Sequence, residues 1–98
     1  MKPADKCTSI EEVRTAIDML DKEIISLIRQ RFDYVKEVVR FKKPDKESII
    51  AQNRFDEVIE SRRTLALEFG LNPDVIEKLY RYLLNHFIEE EMKIINKK

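Results

Sequence analysis

The chain has 98 residues, 39% of them charged, with 19 basic and 19 acidic side chains and one histidine. That length holds a single core and excludes a nucleotide-binding fold joined to a substrate domain, while the even charge balance offers no basic field to gather nucleic acid. One glycine and three prolines leave little tight-turn chemistry and exclude a hairpin-rich sheet, so the expectation is an all-α fold in one domain spanning residues 1–98.

Cys7 is the only cysteine, and there is neither a signal-peptide run nor an 18-residue apolar stretch. A cytoplasmic location is therefore expected, with no disulfide, no cysteine-built metal site and no membrane segment.

In chain order, two breaks, Lys43-Pro44-Asp45 and Gly70-Leu71-Asn72-Pro73, predict three helices. The first opens at Thr8 or Ser9, where Thr8-x-x-Glu11 and Ser9-x-x-Glu12 both fit a capping box, and runs to about Phe41. The second starts near Ser48 as N-cap and stops at Gly70, a C′ glycine followed by apolar Leu71 in the manner of a Schellman ending. Asn72-Pro73-Asp74 announces the third, with an N-cap, a proline in the first helical position and an acid in the first turn, and it extends to about Asn96.

The length of the first helix bears on assembly. At 1.5 Å per residue it spans on the order of 50 Å, whereas a compact monomer of this size has a radius of gyration near ~13 Å. Val13, Ile17, Leu20, Ile24, Leu27, Tyr34, Val38 and Phe41 form one apolar line along it, with Ile25, Ile28, Phe32, Val35 and Val39 beside them. A helix apolar over that much of its girth needs cover on more than one side, and an intertwined homodimer supplies it economically.

Polar residues interrupt these lines. Arg31 stands between Leu27 and Tyr34, and taken alone it would be expected to pair with a carboxylate or snorkel to solvent. Lys42 lies eleven residues on, three helical turns, so both cations are expected along one helix face and could converge on a small anion. Arg14 precedes Arg31 by seventeen residues, roughly 25 Å, too far for both to grip one small ligand from one helix. In an antiparallel dimer, Arg14 of the partner subunit could reach it. On the third helix, Glu91 sits in an apolar line with Leu84, Ile88 and Ile95. His86 has no second histidine or cysteine at ligand spacing and reads as a packing residue, so no metal is expected. The tyrosines and phenylalanines read as core in the absence of a basic stripe.

Arg14, Arg31 and Lys42 at these spacings, with a polar side chain at Glu91 and the two helix breaks, resemble the all-helical, AroQ-type chorismate mutases over nearly the whole chain. Within that family the sequence is most similar to the isochorismate-pyruvate lyase branch, through Asp5-Lys6-Cys7-Thr8, Val13-Arg14 with Ala16-Ile17-Asp18, Asp33-Tyr34-Val35-Lys36 and Arg40-Phe41-Lys42. The resemblance implies an intertwined dimer of three-helix subunits with two shared sites and a small dianionic substrate. It implies that the partner's Arg14, together with Arg31, holds the two carboxylates, and that Lys42 donates to the enol-pyruvyl ether oxygen. Arg54 corresponds to a supporting arginine of the second helix, and Glu91 to a position held by glutamine in bacterial members and glutamate in fungal mutases. A pericyclic rearrangement needs no nucleophile, base, metal or cofactor, so none is expected. It needs charges that fix the folded conformer and donors aimed at the breaking C–O bond.

Two departures keep two reactions open. Phe55 stands where mutases usually place a glutamate for the ring hydroxyl of chorismate, which suits isochorismate, whereas the Lys42-to-Arg54 loop has the mutase-like length. Glu91 replaces glutamine and can donate only when protonated. Conversion of chorismate to prephenate is the leading expectation, with cleavage of isochorismate to salicylate and pyruvate as the alternative. A reading of another class, a non-catalytic helical dimer module, expects Arg31, Lys42 and Glu91 to neutralise one another.

Overall fold

In a computed structural model, residues 1–96 are described, and among them every regular element is helical. The elements are α1 (Ile10–Val38), α2 (Lys46–Ile50), α3 (Gln52–Glu68) and α4 (Pro73–Asn96), with single 3-10 turns at Ala4–Lys6 and Val39–Phe41. Three principal helices with a first helix of 29 residues match the expected all-α architecture. The chain divides into two compact units, Met1–Tyr34 and a second beginning at Val35.

The first unit is ordered by its helix start. The Ser9 hydroxyl accepts the Glu12 amide at 3.1 Å, and the Glu12 carboxylate reaches back to the Thr8 amide at 3.0 Å. Of the two expected capping boxes the Ser9–Glu12 one forms, shifted so that the acid serves Thr8. The Thr8 amide, followed by the Lys2 ammonium 3.2 Å away, holds the Glu12 carboxyl below its ordinary range. No residue of α1 is buried in the chain by itself, and its apolar line stands exposed, with Ile24 at 53% and Leu27 at 61%.

The second unit has a core of its own. Val58, Ile59 and Ala66 of α3, each 3% exposed, recur on one helical face, and α3 packs along α4, where Phe87 is 7% exposed. Ile49 of α2, at 2%, and Val39 complete this core. Arg63 donates to Asp74 and Glu77 at 2.9 and 2.7 Å, and Arg81 adds a bond to Glu77, fastening α3 to the first turns of α4.

The α3–α4 turn follows from three residues. Gly70 adopts φ 72°, so the Leu71 amide reaches the Ala66 carbonyl and the Gly70 amide the Leu67 carbonyl, the two bonds of a Schellman ending. The Asn72 side chain then accepts the Asp74 amide at 2.8 Å and opens α4 with Pro73 as its first residue.

The expected second helix is corrected in two respects. Its N-cap is Asp45, whose carboxylate accepts the Ser48 amide at 2.7 Å, so the helical turn begins before Ser48. It is also broken at Ala51, which takes φ 45° and ψ 64°, separating α2 from α3. The left-handed region costs an L-residue about 1–2 kcal/mol, and alanine has the smallest Cβ substituent with which to bear it. The aromatic residues are corrected as well: Phe87 is core, but Phe41, Phe69, Tyr34 and Tyr82 are each more than three-quarters exposed, because the single chain has nothing to lay over them. His86 lies at the surface too, its ring edge-on to Phe87 at 5.2 Å.

Candidate active site

Lys42 does not lie on the α1 face with Arg31, as its spacing suggested. Proline at 44 has no amide and would clash with the carbonyl of Arg40 in a continuing helix, and it pushes the residue before it toward extended backbone. The α-helix accordingly ends at Val38, tightens into the Val39–Phe41 turn and releases Lys42 in an extended conformation at φ −93° and ψ 148°, its amide donating to the Val39 carbonyl.

That exit brings the Lys42 side chain over α2 and α4. Its Nζ donates to the Ile49 carbonyl at 2.8 Å and to Glu91 Oε2 at 3.0 Å, with the two side chains 19% and 7% exposed. Glu91 lies one turn beyond Phe87 on the inner face of α4, the apolar line that the spacing with Leu84, Ile88 and Ile95 marked out. A carboxyl group so placed is the one buried charged residue among those described, and Lys42 offsets the cost of removing it from water.

Three further expected site residues are described by their own surroundings. Arg54, in the first turn of α3, is 67% exposed and faces Glu57 at 3.8 Å. Phe55 beside it is half-buried beneath the Arg81 guanidinium, 5.7 Å from the ring centroid, and offers no acceptor to a ring hydroxyl. In the first unit Arg14 is exposed on α1 and Arg31 is partly buried. Seventeen residues of straight helix set them about 25 Å apart, so one chain cannot close both on one small ligand.

What sequence reasoning missed is backbone: the Ile49 carbonyl and the Ala51 break that presents it. Asp45-x-x-Ser48 was a readable signal for the earlier helix start, whereas nothing in an Ile-Ile-Ala-Gln run marks a left-handed residue.

A cation and a carboxyl group, both withdrawn from solvent and in direct contact, can grip a polar atom of a ligand from two sides. They also neutralise each other, as expected of a non-catalytic module, and the relatives separate the two readings. The family of chorismate mutase type II matches residues 13–92. An isochorismate pyruvate lyase of Pseudomonas aeruginosa is 33% identical over 93 residues, covering 95% of this chain and 91% of that protein. A T-protein of Haemophilus influenzae is 29% identical over 83 residues, covering 85% of this chain and 22% of that protein. With the all-helical fold, the match across both helix breaks and a full-length enzyme relative, the chain belongs to the chorismate mutase type II family and is an enzyme of that class.

Proposed function

We propose that residues 1–98 act as one catalytic domain in an intertwined homodimer that rearranges chorismate to prephenate. The observation that carries the chemistry is the withdrawn Lys42–Glu91 pair. In the rearrangement the ether C–O bond breaks as a C–C bond forms, and negative charge gathers on the ether oxygen. The Lys42 ammonium donates to that oxygen. Glu91, when protonated, accepts from Lys42 through one oxygen and donates through the other. Arg31 and Arg14 of the partner subunit hold the two carboxylates in the folded conformer, and Arg54, loosely held by Glu57, supports the same substrate. No step needs a cofactor or a metal. The uncovered apolar line of α1 supports the dimer, since a second copy would bury it and bring a second Arg14 within reach of Arg31. A reducing cytoplasm suits a chain with one cysteine, and among the described residues no helix is long and apolar enough to cross a membrane.

A second reading, elimination of pyruvate from isochorismate, is favoured by Phe55 and by the full-length lyase relative. There the ether bond breaks while a ring hydrogen passes to the enol-pyruvyl methylene, giving salicylate and pyruvate. Incubation with each substrate separates the two. Prephenate from chorismate is expected; salicylate with pyruvate from isochorismate and no prephenate from chorismate would replace the first reaction with the second, and inertness toward both would end the proposal. Glu91→Gln adds a residue-level test. Glutamine keeps an oxygen for Lys42 and adds an N–H donor, so the variant should keep or raise kcat/KM at neutral pH with the fold undisturbed. Loss of activity in a folded Glu91→Gln protein would withdraw Glu91 as donor.

A further inference from the structure

We infer that Ala51 is a positioning residue for Lys42: its left-handed backbone ends α2 so that the Ile49 carbonyl is handed to the Lys42 ammonium. The inference deepens the proposed function and rests on its assignment of Lys42 as donor to the ether oxygen.

Lysine is a point charge on a flexible four-carbon stem, and one carboxylate partner leaves the ammonium able to swing about that contact. Here Lys42 has two acceptors from different elements, the Ile49 carbonyl at 2.8 Å and Glu91 Oε2 at 3.0 Å. Two of its three N–H bonds are thereby directed, and the direction of the third, the one left for a ligand, is set.

The Ile49 carbonyl is available because of Ala51. In an unbroken helix from Lys46 to Glu68, that carbonyl would accept the amide of Asn53, four residues on. Instead the Ala51 amide closes α2 on the Glu47 carbonyl, the chain turns at φ 45° and ψ 64°, and α3 restarts with the Ala51 carbonyl accepting the Phe55 amide. A carbonyl at the end of a helix needs a partner from outside it, and Lys42 supplies one. The Ile49 side chain, 2% exposed, anchors this backbone from beneath, and the Asp45 cap on Ser48 holds the other end of α2. For the Ile49 carbonyl to be handed over, position 51 must bear a positive φ. Glycine bears it freely, alanine at some cost, and a β-branched residue is driven out of it.

The experiment compares Ala51→Gly and Ala51→Val in the full-length protein. The first readout needs no substrate: the Cε–Hε resonances of Lys42 in isotopically labelled protein, assigned as those lost in Lys42→Arg. They should be dispersed and ordered in the wild type and in Ala51→Gly, and should merge with those of surface lysines in Ala51→Val. The second readout is kinetic. On whichever substrate the wild type turns over, Ala51→Val should lower kcat by about tenfold to a hundredfold with KM little changed, as misplacement of a donor does, and Ala51→Gly should stay near wild type. Should Ala51→Val fail to fold, ligated protein with an ester in place of the Ile49–Ile50 amide weakens the same carbonyl with every side chain retained, and should loosen Lys42 in the same way. An ordered Lys42 in folded Ala51→Val or in the ester protein overturns the inference, as does unchanged kcat in either. A wild type inert toward both substrates overturns the proposed function alone, since the resonance comparison still decides how Lys42 is held.

Discussion

The two units of this chain are equally helical and differently secured. Along α1 no residue is buried, and Ile17, Ile24 and Leu27 stand half or more exposed, whereas Val58, Ile59 and Ala66 of α3 are each 3% exposed. An isolated helix is marginal in water however well its ends are capped. The second unit therefore takes its order from its own core, and the first must take most of its order from outside, which in the proposed dimer means the second copy.

Breaking that external cover should have the largest effect. Leu20→Lys combined with Ile24→Lys removes two apolar side chains per chain, four per dimer. At about 1.5–3 kcal/mol each, that is roughly 6–12 kcal/mol, comparable with the whole stability of a domain. Sedimentation and circular dichroism should show dissociation with loss of helix. Phe87→Ala sharpens the contrast: a cavity in the second unit's own core should cost about 3–5 kcal/mol without changing how the residual stability depends on protein concentration.

A smaller effect is expected at the start of α1. Ser9→Ala removes the acceptor of the Glu12 amide and should lower stability by about 1 kcal/mol, seen as a lower midpoint in urea with an unchanged slope.

The smallest concerns Glu77, whose carboxyl is held below its ordinary range by the hydrogen bond from Arg81 and then by Arg63. A carboxyl depressed on folding contributes stability above its unfolded value and loses it as pH falls through the folded one. Glu77→Gln should therefore narrow the gap between the melting temperatures at neutral and acid pH. A Tm that falls equally with acid in both proteins would show that this pair does not matter to stability.

The legible parts of the fold were those with a local chemical cause. Ser9, Asn72, Pro73 and Gly70 carry their structural roles in their own side chains or lack of one, and each helix end they mark falls where expected. Glu91 was readable because a polar residue in an apolar line must find a partner. Lys42 as that partner was less so: helical spacing placed it beside Arg31, and only the effect of Pro44 on the preceding turn takes it off the helix and over α4. The Ala51 break was not legible, since alanine is a good helix former and the gain that keeps it left-handed lies in contacts made by Ile49 and Lys42.

The shared site is tested most directly by mixing. Arg14→Ala and Arg31→Ala chains should each form folded, inactive dimers. A mixed dimer has one site with both arginines intact and one with neither, so random exchange of equal amounts should restore about a quarter of wild-type activity. Verified subunit exchange with no return of activity would contradict a site built from Arg31 and Arg14 of the partner subunit.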